Sequence, residues 1–203
     1  MPFSLKDFAW LRPTLWHLTY EANLPAIKAS GRLFSAEKLR LRAGVAARPE
    51  KRSQSERLVV DGHAIALRDQ QTLRAGHIAF EDQATFEYVL CLLNAHVFFW
   101  PGTAKAPVST GRNHFARYRN EGGLVLKLST LEVLRRNASP LFCRFNSGAP
   151  RSSGGHKSPR GPSTFLPACD FEGTAGTVVE CVFHQETVLP DTYEIMPLRD
   201  VLA

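Results

Sequence analysis

The sequence predicts an α+β fold. Three observations carry that prediction. Several short apolar or alternating runs read as strands, several short segments carry helix-capping signals, and the two kinds lack the regular βαβ order of a parallel sheet. At 203 residues the chain can bury one good-sized core, so a single domain over residues 1–203 is expected.

The first strand is expected over residues 15–20, rich in aromatic and β-favouring side chains. Side chains alternate along a strand, so His17 and Thr19 share one face and Trp16 and Leu18 the other. Asn23 then reads as a helix N-cap, with Pro25 in the first turn, where a missing N–H costs little. Gly31 fits the left-handed residue that ends such a helix, and Leu33 and Phe34 return to the core. Residues 36–48 read as helical and residues 49–58 as a mobile polar loop. The Asp61-Gly62 pair marks a turn ahead of a short apolar run.

Residues 80–93 have amphipathic helical spacing, with Phe86, Val89, Leu90 and Leu93 on one side. Residues 97–101 form a very apolar strand stopped by Pro101. A short helix over 110–120 carries Arg112, Arg117 and Arg119. Gly122-Gly123 is a turn before a strand at 124–128, and Ser129-Thr130 caps a helix over 131–136. Residues 146–163 are rich in Gly, Pro and Ser and read as a loop. Residues 177–183 form a strand with Glu180 at its centre, and residues 189–195 a final edge strand.

Composition narrows the function classes. The chain is 44% hydrophobic and 22% charged, as globular proteins are. No apolar run reaches membrane-span length, and the N-terminal residues lack the long apolar stretch of a signal peptide, so a cytoplasmic protein is expected. The four cysteines, Cys91, Cys143, Cys169 and Cys181, are widely spaced, form no zinc pattern and read as reduced apolar residues; no metal is expected. A metal hydrolase and a serine or cysteine hydrolase lack their motifs.

Net charge is +6, and much of it is local. Residues 32–57 hold eight Lys/Arg and three acids, a net of +5, and residues 144–160 hold Arg144, Arg151, Lys157 and Arg160 with no acid. Such clusters suit a polyanion, or else form an ordinary solvated face.

Two features suggest chemistry. His17 and Thr19 either line a ligand cleft or are satisfied polar residues on a half-exposed strand. Glu180 sits among Val178, Val179, Cys181 and Val182, where an ionised carboxylate needs a partner; it is either functional, turned to solvent, or paired with an arginine.

The order of these segments resembles the ADP-ribosyltransferase superfamily. The matching pieces are His17-Leu18-Thr19, Asn23-Leu24-Pro25-Ala26-Ile27, Gly31-Arg32-Leu33, Phe98-Phe99-Trp100-Pro101, and Val178-Val179-Glu180-Cys181-Val182-Phe183 followed by Val188-Leu189-Pro190. Within it the sequence is most similar to the DarT-type toxins that ADP-ribosylate DNA. The pieces Leu67-Arg68-Asp69-Gln70, Asn146-Ser147-Gly148 and Arg160-Gly161-Pro162 also resemble an uncharacterised group of bacterial proteins.

The resemblance implies two packed, mostly antiparallel sheets with short helices, and NAD+ as a substrate. His17 would fix the nicotinamide-side ribose, and Thr19, Asn23 and Gly31 would line the same pocket. Phe99 would stack on nicotinamide. Glu180 would be the catalytic acid, and Arg68 would clamp the pyrophosphate. Arg112, Arg117, Arg151 and Arg160 would contact a nucleic-acid substrate, DNA being favoured. A bacterial toxin or defence effector, with an antitoxin protein as partner, is the implied setting. One departure stands out: DarT-type toxins place an arginine soon after the aromatic strand, whereas here the first is Arg112. The alternatives are transfer to protein, RNA or a small molecule, and a non-catalytic nucleic-acid-binding module.

Overall fold

A computed structural model describes residues 3–46 and 49–203. In chain order these form α1 (Leu5–Leu11), β1 (Thr14–Tyr20), α2 (Leu24–Ser30), β2 (Arg32–Phe34), α3 (Ala36–Arg42), β3 (Glu56–Val60), β4 (His63–Leu67), β5 (Ile78–Phe80), α4 (Phe86–Asn94) and β6 (His96–Gly102). There follow α5 (Ser109–Ala116), β7 (Gly123–Ser129), α6 (Thr130–Arg136), β8 (Leu141–Cys143), β9 (Ser152–Ser153), β10 (His156–Arg160), β11 (Leu166–Pro167), β12 (Glu180–His184), β13 (Glu186–Val188), β14 (Glu194–Pro197) and α7 (Leu198–Leu202). The fold is α+β, and antiparallel pairing dominates.

Seven strands make one sheet in the order β11-β8-β12-β6-β1-β7-β14, with small β2–β13, β3–β4 and β5–β10–β9 sheets around it. Strand β6 divides its pairing. Its first half, His96 to Phe99, pairs with β12, while Trp100 to Gly102 pairs with β1. The β1–β6 ladder therefore stops at Trp16↔Trp100, although β1 stays paired with β7 as far as Tyr20. The large sheet behaves as two antiparallel halves joined through β6, and it opens beside His17.

Strand alternation builds a core on each face. Leu15, Phe99, Leu126, Leu128, Cys181 and Phe183 pack with Phe8, Phe142 and Phe171 on one side. Trp16, Leu18, Trp100 and Val125 pack with Phe115, Leu198 and Val201 on the other, so α5 and α7 cover that face. Helix α4 sets Val89, Leu90 and Leu93 against Val182 and Phe165.

Several boundaries differ from the sequence expectation. Helix α3 ends at Arg42, and Gly44 turns the chain at φ 71°; Arg48 lies outside the described residues. Strand β3 begins at Glu56, inside the expected polar loop, and forms a hairpin through Asp61 (φ 49°) and Gly62 (φ 79°), a turn whose twist suits paired strands. Helix α4 starts only at Phe86, capped by Thr85, because Ile78–Phe80 pairs with β10. The segment 146–163 is more ordered than its composition suggests: it contains β9 and β10, and it buries Ser147 and Arg160. The edge strand falls at Glu194–Pro197. Glu180 opens β12 rather than sitting at its centre. No helix among the described residues is long and apolar enough to cross a membrane.

Candidate functional site

The cleft lies where β1 leaves β6. There the missing backbone ladder is replaced by a side-chain bond, from His17 Nδ1 to the Phe98 carbonyl oxygen at 2.8 Å. A carbonyl only accepts, so Nδ1 carries the proton and Nε2 keeps its lone pair. Burial, together with the nearby Arg68 charge, lowers the His17 pKa to about 4, against the raising effect of the Phe98 bond. His17 is therefore a neutral imidazole at pH 7, fixed in one tautomer, with Nε2 as an acceptor.

Thr19, on the same strand face, is buried and accepts from Asn23 Nδ2 at 3.1 Å. Asn23 does not cap α2 with its side chain, because a 3-10 turn over Glu21–Asn23 runs straight into the helix. Its amide pairs with Ala66 of β4, donating to the carbonyl at 3.0 Å and accepting from the N–H at 2.7 Å. That pairing pins the β3–β4 hairpin to the cleft and delivers Arg68 just beyond β4.

Arg68 lies between two aromatic rings, with its guanidinium carbon 4.2 Å from the Tyr20 ring centre and 4.6 Å from that of Tyr118. It donates to the Thr19 carbonyl at 3.0 Å and faces Glu121 at 3.7 Å. Arg52 joins it: its Nε bonds the Arg68 carbonyl at 2.8 Å and its Nη1 bonds Asn94 Oδ1 at 2.8 Å. Burial lowers both guanidinium pKa values without discharging them. Two cations thus line one wall.

Glu180 is 1% exposed at the start of β12. Both carboxylate oxygens lie 3.2 Å from the Ser147 backbone N, which donates between them. Arg160 braces that loop from behind. It is 1% exposed, donates to the carbonyls of Ser147 (2.9 Å), Asn146 (2.7 Å) and Pro159 (2.6 Å), and stacks 4.1 Å from the Phe145 ring centre. Burial raises the Glu180 pKa from 4.5 to about 7, opposed by Ser147 hydrogen bonding and the Arg160 charge. A carboxylate poised at that value suits proton transfer near neutral pH.

Aromatic rings fill the remaining wall. Phe98 and Trp100 line the cleft, and His114 stacks on Trp100 at 4.4 Å. The cleft encloses about 230 Å³, and a second cavity of about 300 Å³ shares His17, Thr19, Asn23, Phe34 and Leu39 with it. Among the described residues, buried polar atoms without a hydrogen-bond partner belong to four wall residues here, Arg68 (Nη1), Trp100 (Nε1), His114 (Nδ1) and Ser147 (Oγ).

The structure brings His17, Thr19, Asn23, Arg68 and Glu180 to one cleft. It does not bring Phe99 or Gly31. Phe99 is fully buried, with its ring against Phe183 and 5.5 Å from the His17 ring, so it backs His17 from the core while Phe98 lines the cleft. Gly31 takes the left-handed conformation at φ 63° to end α2, and both its backbone groups are bonded, to Ile27 and Leu189. Arg160 is committed to backbone carbonyls and cannot contact a phosphate. Arg112 borders a separate groove between α5 and α7, Arg117 is exposed beyond α5, and Arg151 is exposed ahead of β9. The sequence reading missed Arg52, Phe98, His114 and Tyr118. Arg52 sat within the basic run, but nothing local distinguished it from its neighbours.

Residues 13–187 match a family described as a family of unknown function (DUF7002), and the chain belongs to it. No curated protein and no solved structure matches the chain.

Proposed function

We propose that the protein is an NAD+-dependent mono-ADP-ribosyltransferase acting on nucleic acid, with DNA bases as the favoured acceptor. The observation that carries this reading is a neutral, tautomer-fixed His17 and a buried Glu180 lining one cleft at the point where the sheet opens. His17 Nε2 accepts a hydrogen bond from a ribose hydroxyl. The cavity beyond His17 gives room for the second half of a dinucleotide, and Arg52 and Arg68 set positive charge beside the pyrophosphate. Phe98 and Trp100 offer ring faces to nicotinamide or to an acceptor base.

In the reaction the C–N bond between nicotinamide and ribose C1′ breaks, and its electron pair leaves with nicotinamide. C1′ gains oxocarbenium character, which the Glu180 carboxylate stabilises. The acceptor attacks C1′, and its proton passes to Glu180. The loop whose Ser147 N–H bonds Glu180 leads directly into the exposed Arg151 and Lys157, so the basic hairpin follows in sequence the loop that holds the carboxylate.

The test is incubation with NAD+ labelled in its adenosine half. Single-stranded DNA, duplex DNA, RNA and a cell extract are offered separately, with Glu180→Gln alongside. Label on DNA that disappears in the variant is the expected result. Label on protein or RNA alone would move the acceptor class. Neither label nor free nicotinamide in any mixture would overturn the enzymatic reading.

A further inference from the structure

Outside the cleft, the groove between α5 and α7 has an unusual lining. Arg112, Asn113 and Arg119 come from α5 and the turn after it, Asn120 from the same turn, Ser109 from the start of α5, and Arg199 from α7. Among the described residues no aspartate or glutamate side chain lines it, in a chain with 19 of them. All six named side chains can donate hydrogen bonds.

The spacing explains the arrangement. Arg112 and Ala116 lie four apart on α5 and share a face, and Arg119 follows in the turn beyond, so the small Ala116 leaves the groove open between two arginines. The other side of the same segment buries Phe115 and Tyr118 against Trp16, Trp100 and Leu198. The helix is therefore anchored by its apolar side and presents its cationic side outward. The cations are little neutralised. Arg112 Nη2 donates to the Leu202 carbonyl at 3.3 Å, and Arg119 Nε donates to the Ala116 carbonyl at 2.9 Å. Arg199 faces Asp200 at 3.6 Å, but both side chains are more than half exposed, a pairing worth little in water.

We propose that this groove binds the phosphodiester backbone of a nucleic acid, as a second contact separate from the cleft that holds Glu180. The charge is spread along the groove, with Arg112 on α5, Arg119 in the turn after it and Arg199 on α7, which suits successive phosphates of a chain. Asn and Ser side chains between the arginines supply the neutral donors that such contacts use. The inference rests on the nucleic-acid reading above, but binding is measured without NAD+, so it can fail or hold independently of the transferase chemistry.

The experiment is fluorescence anisotropy with a labelled 20-nucleotide single strand, the corresponding duplex and an RNA hairpin, across a salt series. Wild type is compared with an Arg112→Ala, Arg119→Ala, Arg199→Ala triple variant and with a control triple variant at exposed positions outside both basic clusters, Lys6→Ala, Lys28→Ala, Arg74→Ala. Circular dichroism and thermal melts check the fold of each. Each lost phosphate contact reduces the log–log salt slope by roughly 0.7–0.9, so the groove variant should lose about two to three from its slope and bind at least about tenfold more weakly near 0.1 M salt. The control should keep both values. Equal loss in the two triples, or no nucleic-acid binding by the wild type, overturns the proposal. So does stronger binding to inorganic phosphate or to anionic phosphatidylserine vesicles than to the nucleic acids.

Discussion

The Ser147 backbone nitrogen lies 3.2 Å from both carboxylate oxygens of Glu180, and the carbonyl of the same Ser147 is held by Arg160 at 2.9 Å. A buried cation thus fixes the loop that hydrogen-bonds a buried acid. Arg160→Gln should lose both the charge and the fork that binds three carbonyls. The expected outcome is a Glu180 pKa raised further above 7, since Arg160 acts to lower it. Arg160→Lys keeps the charge and should shift it less. Carbon-13 NMR of the Glu180 carboxyl reads the titration directly. Stability should fall by roughly 3 kcal/mol or more as buried carbonyls lose donors. An unchanged Glu180 titration in folded Arg160→Gln would refute the coupling.

Glu180→Gln separates stability from activity. In the wild type the folded-state pKa, about 7, lies above the ordinary 4.5, so the folded protein binds the extra proton between those values. That contribution is fully present below pH 4.5 and is lost as pH rises through 7. The variant has no such loss. Relative to wild type, its stability should gain on the order of 3 kcal/mol between pH 4.5 and pH 9, measured by denaturant melts at each pH. Nicotinamide release should drop roughly a hundredfold or more.

The parts of this fold that could be read locally were the ones with local causes. The β1 alternation, the Asp61-Gly62 turn, the Gly31 helix stop and the Ser129 cap each depend on neighbours in sequence. What could not be read depends on where β6 changes partner. A strand pattern says that Phe98 and Phe99 face opposite ways, but not which face meets the opening. The resemblance makes Arg160 a nucleic-acid contact in a segment whose Gly/Pro/Ser content reads as a loop; its burial follows from β10 pairing with β5, some eighty residues away in sequence. Asn before a helical turn is a good cap in sequence, yet the Asn23 amide serves Ala66 instead.

That long-range pairing makes a prediction of its own. Asn23→Ala leaves the Ala66 N–H and carbonyl without their partners and frees the hairpin that delivers Arg68. A loss of roughly 2–3 kcal/mol is expected. Hydrogen exchange should localise it: the Ala66 amide should exchange faster, while the β1–β7 amides lose only what global stability loses. Asn23→Asp removes the donor alone and should cost less if the Ala66 N–H bond dominates.

His114 sets an acid limit. Burial, then the charges of Arg68 and Arg117, lower its pKa from 6.5 to about 3, and its Nδ1 has no hydrogen-bond partner. A folded pKa below the unfolded one means that stability is present above pH 6.5 and lost as pH falls toward 3. His17 acts the same way toward 4, while Glu180 opposes both between 7 and 4.5. His114→Phe can retain the stack on Trp100 and removes one titration. Its melting temperature should fall less steeply between pH 6.5 and 4 than that of the wild type. Parallel curves would show that His114 does not titrate in this window.

Phe98 and Phe99 give the sharpest contrast between the family resemblance and this chain's geometry. The resemblance assigns the stacking role to Phe99, but Phe99 is buried against Phe183 and Leu126 in the main core. Phe99→Ala should behave as a core truncation, costing about 3–5 kcal/mol with little change in KM for NAD+ in whatever fraction stays folded. Phe98 is only partly buried, its carbonyl holds His17, and its ring lines the cleft. Phe98→Ala keeps that carbonyl, so the His17 tautomer survives while the ring face is lost. The expected result is a modest stability change and a KM for NAD+ raised roughly tenfold, about 1.4 kcal/mol of lost binding. Kinetics on the two single variants, each checked by thermal melting, decide between the assignments. If Phe99→Ala raises KM at unchanged stability and Phe98→Ala does not, the stacking assignment to Phe98 fails and the Phe99 ring, 5.5 Å from that of His17, acts on the cofactor site instead.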